Sequence, residues 1–260
     1  MKTIILSGGI GYRLKEETEF KPKPMVQIGG KPILWHIMKI YAHHGYNDFI
    51  VALGYKGEQI KEYFLNQRYY ANDFTLNTKT GLSKVYRNKD GKDTDDFKIT
   101  FAETGQETLP GERTLLLKRY IPLEDEDFMV TYGDGVADVD IKDLIKFHKS
   151  QNTIGTVTGV HPRSKYGLLS VGKNGIAQKF IEKPILQERV NGGFMIFKKK
   201  FFDYLQPGEM EHAAIQRLID ERQLSVYMHN GFWHSMDTYP DVDNLNVFWK
   251  EDPKWKVWKD

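Results

Sequence analysis

The chain has 260 residues, 40% hydrophobic and 28% charged, a composition typical of a globular protein with a sizeable core. Its 37 basic residues nearly cancel its 35 acidic ones, which argues against a dedicated nucleic-acid binder. It contains no cysteine, which excludes disulfides, a thiolate nucleophile and a cysteine-based metal site. No apolar run reaches the roughly 18 residues of a membrane span, and the N-terminus is not typical of a signal peptide. We therefore expect a soluble, cytoplasmic protein.

The first 150 residues predict strands alternating with helices. Apolar runs predict strands, and apolar residues spaced three and four apart predict helices. In chain order we predict a strand at Thr3–Leu6, a helix at Pro32–His44 ended by Gly45, a strand at Asp48–Leu53, a helix through Ile60, Tyr63 and Phe64 ahead of Asn66, a strand at Phe128–Tyr132 and a helix beginning at Ile141. This alternation indicates a parallel sheet covered by helices.

The rest of the chain is less regular. Residues 66–96 are polar and rich in turn signals, such as Asn88-Lys89-Asp90-Gly91, which predicts an insertion or an extended hairpin. After residue 150 the predicted elements are strands at Thr153–Val160, Leu168–Val171, Ala177–Lys183, Gly193–Phe197 and Ser225–His229, with a helix near His212–Arg222. The tail carries Trp249, Trp255 and Trp258, which we expect to dock on their own domain, with an oligomer contact as the alternative.

These elements together predict an α/β fold with a mostly parallel central sheet flanked by helices and a small β-rich region in the second half. We expect a single domain over residues 1–260, with halves at 1–150 and 151–260.

A glycine-rich loop follows the first predicted strand. In the segment Leu6–Leu14, glycines occupy positions 8, 9 and 11, where they let backbone amides approach an anion. The dinucleotide-binding fingerprint fails because its third glycine falls on Leu14, and the P-loop pattern fails because Pro32 follows Gly30-Lys31. A strand-to-helix turn without a ligand remains the alternative for the glycines alone.

Two cations follow this loop closely. Arg13 offers a planar guanidinium that matches phosphate oxygens in pairs, and Lys23 lies between two prolines. A lysine on such a stiff backbone suits a phosphorus centre that gains negative charge. Loop and cations together therefore predict a site for a nucleoside triphosphate.

Two carboxylates are candidate magnesium ligands. Asp134 directly follows a buried predicted strand, the position at which α/β sheets bind ligands, and Asp237 precedes a predicted helix capped by Thr238 or Asp241. A turn aspartate and a helix-end charge are the respective alternatives. Asp138 and Asp140 are instead interpreted as helix caps.

Several segments, taken together, resemble one enzyme family over nearly the whole chain. They are Leu6–Leu14, Lys21–Met25, Gly29–Ile37, Thr131–Asp138, Glu182–Pro184, Asn191–Phe194, Met236–Thr238 and the tail from Trp249 to Trp258. The chain resembles the sugar-phosphate nucleotidyltransferases, and among them the bacterial enzymes that join CTP to glucose 1-phosphate.

The resemblance implies a Rossmann-like nucleotidyltransferase fold and a site divided between nucleotide and sugar phosphate. The reaction implied is transfer of a cytidylyl group from CTP to α-D-glucose 1-phosphate, which yields CDP-glucose and pyrophosphate for polysaccharide synthesis. It implies Mg²⁺ as cofactor, bound by Asp134 and Asp237, and a homo-oligomer without nucleic-acid or membrane partners. Implied catalytic residues are Arg13, Lys23, Asp134 and Lys183; implied nucleotide contacts are Leu6, Gly8, Gly9, Gly11, Tyr12, Arg13, Lys23, Thr104, Gly111 and Asp134; implied sugar-phosphate contacts are Gly167, Glu182, Lys183, Asn191 and Gly192.

The chain departs from the family pattern where substrates are selected. Tyr12 stands where Thr or Ser is usual, and Gln27 stands where Glu is usual. The triplets around the pyrimidine read Glu103-Thr104-Gly105 and Gly111-Glu112-Arg113, and the sugar-facing strand Tyr166–Ser170 also differs. Transfer of a cytidylyl, uridylyl or thymidylyl group to another sugar phosphate or a non-sugar phosphate is therefore the alternative activity. A non-catalytic nucleotide-sugar sensor is a further alternative, but it predicts loss of the phosphate-handling residues, which are present here.

Overall fold

The computed structural model describes residues 1–86 and 95–259. Its strands are β1 (Thr3–Leu6), β2 (Gln27–Ile28), β3 (Lys31–Pro32), β4 (Asp48–Leu53), β5 (Asp73–Leu76), β6 (Ser83–Tyr86), β7 (Lys98–Glu103), β8 (Asp127–Tyr132), β9 (Gly135–Ala137), β10 (Gly155–Val160), β11 (Leu168–Val171), β12 (Ala177–Ile181), β13 (Val190–Lys198), β14 (Leu224–Met228) and β15 (Trp233–Ser235). Its α-helices are α1 (Lys15–Thr18), α2 (Ile33–His43), α3 (Gly57–Tyr70), α4 (Pro110–Leu116), α5 (Ile141–Gln151), α6 (Glu211–Asp220) and α7 (Tyr239–Glu251).

A central sheet organises the molecule and confirms the predicted fold class. Within the described residues it has seven strands in the order β14-β10-β13-β8-β1-β4-β7. β1 pairs parallel with both β4 and β8, β4 pairs parallel with β7, and β10 pairs parallel with β14. Only β13 runs antiparallel to its neighbours among these strands. Strands from both halves of the chain therefore contribute to one sheet.

Helices cover both faces of this sheet because its central strands are apolar on both sides. One layer of buried side chains includes Ile5, Tyr41 and Phe194, and the other includes Ile4, Phe128 and Phe197. This double burial explains why β1 and β4 read as continuous apolar runs. No helix in the described ranges is long and apolar enough to cross a membrane.

Most predicted elements are present with small shifts at their ends. The strands at Thr3–Leu6 and Asp48–Leu53 are confirmed, and the first long helix ends before Gly45, whose φ is +92°. The prediction that the second helix ends ahead of Asn66 is wrong, since α3 continues to Tyr70. None of the residues in that last stretch is fully buried, and it is mostly polar, so its apolar spacing is weak.

Two hairpins lie outside the central sheet. β5 and β6 pair antiparallel, which confirms the extended-hairpin alternative for that part of residues 66–96, while the turn predicted at residues 88–91 lies outside the described residues. β11 and β12 form the second antiparallel pair, and every residue in both strands is exposed. We call this second hairpin, residues 162–189, the acceptor hairpin, because it contains the predicted sugar-phosphate contacts Gly167, Glu182 and Lys183.

The tryptophan-rich tail docks on its own domain, as predicted. Trp255 is fully buried, and its indole Nε1 donates to His36 Nδ1 at 3.3 Å. His36 Nε2 in turn contacts the carbonyl of Ile28 at 2.8 Å, so His36 joins the tail to β2. Trp258 packs edge-on against Trp35 of α2.

Candidate active site

The candidate site lies where the carboxyl ends of two neighbouring strands meet. β1 pairs in parallel with β8, so the loop after Leu6 emerges beside the loop after Tyr132. The amide of Gly133 donates to the carbonyl of Leu6 at 3.1 Å and ties the two loops together. Asp134 therefore stands beside the glycine loop, at the sheet edge where α/β folds bind ligands.

Lys23 joins the two candidate metal carboxylates. Its Nζ donates to Asp134 Oδ2 at 2.6 Å and to Asp237 Oδ1 at 3.0 Å. Arg13 donates to the same Asp237 oxygen at 2.9 Å. The backbone at Lys23 forms a short 3₁₀ turn, Lys23–Met25, whose flanking prolines restrict it. Residues separated by more than 100 positions thus form one charged cluster.

The electrostatics of this cluster favour the charged forms of Lys23 and Asp237. Burial alone would lower the pKa of Lys23, but the carboxylates of Asp134 and Asp237 outweigh it and raise that pKa. Burial alone would raise the pKa of Asp237, but Lys23 and then Arg13 hold it below its usual value. Lys23 and Asp237 therefore stabilise each other as an ion pair.

The glycine loop is supported from behind by a buried arginine. Arg113 is 3% exposed, and its guanidinium donates to the carbonyls of Gly8 and Leu53, both at 3.1 Å, and to Thr104 Oγ1 at 2.6 Å. A Cβ on Gly8 would lie 2.0 Å from Arg113 Nη1, so only glycine fits there. Arg113 thus places a positive charge directly beneath the predicted phosphate loop and orients its backbone.

The surface of that loop is open. A Cβ added to Gly9 would meet nothing within 4 Å, and the side chains of Tyr12 and Arg13 are exposed, with Tyr12 78% accessible. Gly11 adopts a left-handed φ of +72°, which begins the 3₁₀ turn Tyr12–Leu14. This geometry leaves the loop free to meet a ligand.

A cavity of about 230 Å³ opens beside the charged cluster. Two predicted acceptor residues, Asn191 and Gly192, line it together with the carboxylate residues Asp134 and Asp237. Trp233 Nε1 donates to the carbonyl of Gly192 at 2.9 Å and fixes that wall. The full lining is Thr131, Tyr132, Asp134, Gly135, Asn191, Gly192, Gly193, Trp233, Ser235 and Asp237.

The remaining predicted acceptor residues lie on the acceptor hairpin. Gly167 and Glu182 are adjacent across it, because a Cβ on Gly167 would lie 2.9 Å from Glu182 Oε2. Lys183 is exposed and has a left-handed φ of +44°, and its carbonyl accepts from Arg163 Nη1 at 3.1 Å. The structure therefore does not bring these three residues to the cavity wall, and their roles stay predictions.

Two of the residues predicted to bind the nucleotide have structural roles. The Thr104 hydroxyl is buried and donates to the carbonyl of Leu53 at 2.6 Å. Gly111 permits a close helix contact, because a Cβ there would lie 2.6 Å from the carbonyl oxygen of Glu209. Glu103, also near the predicted pyrimidine site, is exposed and paired with Lys61. Their contacts to a nucleotide also stay predictions.

One of the two predicted helix caps is wrong. Asp140 caps α5 through its side chain, which accepts from the amides of Lys142 and Asp143. Asp138 instead lies 2.9 Å from His229 Nε2. The α7 cap is as predicted, since Thr238 and Asp241 form a capping box directly after Asp237.

Sequence reasoning missed the structural role of Arg113 and the cavity-lining roles of Tyr132, Trp233 and Ser235. The available signal for Tyr132 was its position two residues before Asp134, and for Trp233 its position four residues before Asp237. Ser235 Oγ donates to Asp237 Oδ2 at 3.1 Å and so orients that carboxylate.

Asp134 and Asp237 are placed where one magnesium ion could contact both carboxylates, and their role as metal ligands stays a prediction. Asp134 and Asp237 both reach the same Lys23 ammonium, so one cation can contact both. Among residues 1–86 and 95–259 no cluster of three or more His, Asp or Glu side chains could hold a metal ion. Mg²⁺ accepts this arrangement, because it retains water and binds substrate phosphates beside one or two carboxylates.

Comparison with known proteins assigns the family. The model of the nucleotidyl transferase family matches residues 2–260. A Bacillus subtilis protein named as a probable glucose-1-phosphate cytidylyltransferase is 44% identical over 99% of this chain and 100% of its own length. The glucose-1-phosphate cytidylyltransferase of Salmonella typhimurium is 40% identical, with both chains fully covered.

The fold agrees with this assignment. The solved structure of the inositol-1-phosphate CTP transferase from T. maritima superposes with a TM-score of 0.65 at 17% identity, covering 96% of each chain. The glycine loop and the charged cluster agree with the full-length similarity to known proteins. The chain is a nucleotidyltransferase and belongs to the nucleotidyl transferase family.

Proposed function

We propose that this protein transfers a cytidylyl group from CTP to α-D-glucose 1-phosphate, which yields CDP-glucose and pyrophosphate. The observation that carries the proposal is the Lys23–Asp134–Asp237 cluster beside an open glycine loop, in a chain at least 40% identical over its full length to proteins named for this reaction. The glycine loop offers backbone amides to the triphosphate, and Arg113 adds positive charge beneath it.

The reaction needs no protein nucleophile. An oxygen of the acceptor phosphate, already ionised at neutral pH, forms a bond to the α-phosphorus of CTP, and the bond from that phosphorus to the β-phosphate oxygen breaks. The electron pair leaves with pyrophosphate. Catalysis then consists of positioning and charge neutralisation.

Each proposed catalytic residue acts on one part of that charge. Arg13 binds the terminal phosphates, Lys23 neutralises charge that develops at the α-phosphate, and Lys183 binds the phosphate of the acceptor. Asp134 and Asp237 would hold Mg²⁺, which would supply charge neutralisation at the phosphate oxygens. Lys23 is paired with both carboxylates, so its ammonium is held beside the residues that would bind the cation.

The acceptor hairpin contributes the sugar-side residues Gly167, Glu182 and Lys183. The side chains of Glu182 and Lys183 are exposed, so a ligand can contact them without displacing packed groups. The exposed Tyr166 and the altered strand beside it favour one second candidate, the same transfer to a different phosphate acceptor.

A pyrophosphate-release assay with CTP, UTP, dTTP and GTP against a panel of acceptor phosphates tests this proposal. CTP with glucose 1-phosphate should give the highest kcat/KM, and mass spectrometry should identify CDP-glucose. Absence of product from that pair would overturn the proposal. Activity with another acceptor would support the second candidate, and CTP binding by calorimetry without turnover on any acceptor would support a sensor.

We further propose that the protein is a homo-oligomer. The exposed apolar side chains of the acceptor hairpin, such as Leu169, Val171 and Phe180, offer a contact surface to a second copy. Trp255 and Trp258 of the tail do not contribute to such a surface, because both are buried in their own chain. Light scattering on a size-exclusion column should give a multiple of the 30.3 kDa chain mass, and a monomer would contradict this assignment.

A further inference from the structure

The inner wall of the cavity contains a three-residue chain of polar contacts. The hydroxyl of Tyr132 donates to Glu211 Oε1 at 2.8 Å, and Asn191 Nδ2 lies 3.4 Å from the same hydroxyl oxygen. Tyr132 and Asn191 line the cavity, whereas Glu211 does not. Glu211 therefore influences the cavity through Tyr132.

The fold positions Glu211 through the neighbouring helix α4. Glu211 is the first residue of α6, and a Cβ on Gly111 of α4 would lie 3.0 Å from its backbone nitrogen. Glu112 Oε2 accepts from the amide of Gly208 at 3.1 Å and holds the loop that leads into α6. Glu112, a departure from the family pattern, thus helps to place Glu211.

The ring of Tyr132 is held as firmly as its hydroxyl. It packs on Gly193, where an added Cβ would lie 2.6 Å from Tyr132 Cδ2 and where φ is +82°. Asn191 Oδ1 accepts from the amide of Gly193 at 3.0 Å, which sets the orientation of the Asn191 amide. The phenol oxygen is therefore fixed at the cavity wall.

The direction of the Tyr132 hydrogen bond has a chemical consequence. The Tyr132 hydroxyl lies 2.8 Å from Glu211 Oε1 and donates its proton to that oxygen. A carboxylate only accepts hydrogen bonds, so the single phenol proton points to Glu211. Toward the cavity the Tyr132 oxygen consequently offers lone pairs and no proton.

We propose that Glu211 is a positioning residue that makes Tyr132 a hydrogen-bond acceptor toward the cavity, so that the site selects an acceptor whose hydroxyl donates to the Tyr132 oxygen. The identity of that acceptor as a sugar phosphate rests on the function proposed above. The Asn191 contact to the phenol is long at 3.4 Å, so a substrate hydroxyl can replace it. Oε2 of Glu211 is buried and has no partner among the described residues, so no other group competes with Tyr132 for this carboxylate.

A purely structural role for Glu211 makes a different prediction. A negative charge in the first turn of α6 stabilises the helix, and its removal would then lower stability and affect both substrates alike. A positioning role instead changes the recognition of a single hydroxyl on one substrate.

The test uses glucose 1-phosphate and its 2-, 3-, 4- and 6-deoxyfluoro analogues, since fluorine cannot donate a hydrogen bond. The wild type should discriminate against one analogue by about tenfold or more in kcat/KM. Glu211→Ala frees the phenol proton for the cavity, so this discrimination should shrink to about threefold or less. The KM for CTP should stay unchanged. Tyr132→Phe should also lose the discrimination, and Glu211→Gln should retain most of it because its amide oxygen still accepts.

Glu221→Ala is the matched control, because Glu221 accepts from the Tyr204 hydroxyl at 2.5 Å on the exposed surface. It should leave the discrimination intact. An Ala variant of Glu211 that keeps the wild-type pattern across the analogues, or raises both KM values in parallel, would overturn the proposal. If wild type rejects glucose 1-phosphate but accepts another sugar phosphate, the proposed function fails while the same comparison on that acceptor still decides the role of Glu211. If no sugar phosphate is accepted, both fail.

Discussion

The nucleotide side and the acceptor side of this site are held in very different ways. On the nucleotide side, the fold itself joins Lys23, Asp134 and Asp237 by short ion pairs, and Arg113 fixes the glycine loop from within the core. On the acceptor side, Glu182 and Lys183 lie on a hairpin that is exposed on both faces. The difference indicates that the predicted triphosphate contacts are held by packed elements of the fold, whereas the predicted acceptor contacts Glu182 and Lys183 lie on a less constrained segment.

The largest effect should follow removal of Lys23. Lys23→Ala should reduce kcat about 100-fold to 1,000-fold, because a preorganised cation at the reacting phosphate is lost. Stopped-flow or coupled pyrophosphate release measures this loss. Lys21→Ala is the control, since Lys21 pairs locally with Glu17 at 2.9 Å and should leave kcat within about twofold. Near-normal turnover in Lys23→Ala would break the nucleotide half of the comparison.

A smaller effect should follow loss of one carboxylate. Asp237→Asn should raise the Mg²⁺ concentration for half-maximal activity by about tenfold or more. The same change in Asp140→Asn keeps an oxygen that can cap α5, so this control should leave the Mg²⁺ dependence unchanged. An unaltered Mg²⁺ titration in Asp237→Asn would remove Asp237 from the proposed metal site.

The acceptor side should respond in a single kinetic constant. Lys183→Ala should raise the KM for the acceptor about tenfold to 100-fold, the value of one charge-assisted hydrogen bond, and leave the KM for CTP nearly unchanged. Lys179→Ala, on the same exposed hairpin, provides the comparison and should change neither constant. Equal changes in both KM values for Lys183→Ala would mean that the two sides are not separate.

The smallest effect on activity should come from His36, which joins the tail to β2. Burial lowers its pKa from 6.5 to about 4, so between these values the unfolded chain binds a proton that the folded chain does not. Neutral His36 therefore stabilises the folded state fully above pH 6.5. As pH falls toward 4, this contribution to the free energy of unfolding is lost, by about 3 kcal/mol in all.

Urea unfolding from pH 7 to pH 4 measures that contribution. His36→Gln should flatten the decline, and the control His212→Gln, at a residue on α6, should not. Turnover at pH 7 should change little in either variant. An identical pH dependence of the free energy of unfolding in wild type and His36→Gln would exclude the assigned role of His36.

The sequence predicted what depends on local pattern. β1 and β4 were found because both are continuously apolar, and the approach of Asp134 to the glycine loop follows from the rule that parallel strands end at one edge. Contacts that depend on packing were missed. Nothing local marks Arg113 as the support of Gly8, and Glu211 reaches Tyr132 across 79 positions of sequence.

The different roles of Asp138 and Asp140 illustrate the same limit. Both precede a helix by a few residues, and only the backbone path decides which one caps it. The exposed end of α3 was missed because few of its side chains are buried, so its apolar spacing is weak.

The most direct test is phosphorus NMR of one reaction mixture containing the purified protein, CTP, α-D-glucose 1-phosphate, Mg²⁺ and an inorganic pyrophosphatase. The account predicts that both substrates disappear in equal amounts while the paired diphosphate signals of CDP-glucose appear, and that Lys23→Ala slows this exchange by orders of magnitude. Unchanged CTP and glucose 1-phosphate in the wild-type sample, in a preparation shown to bind CTP, would contradict it.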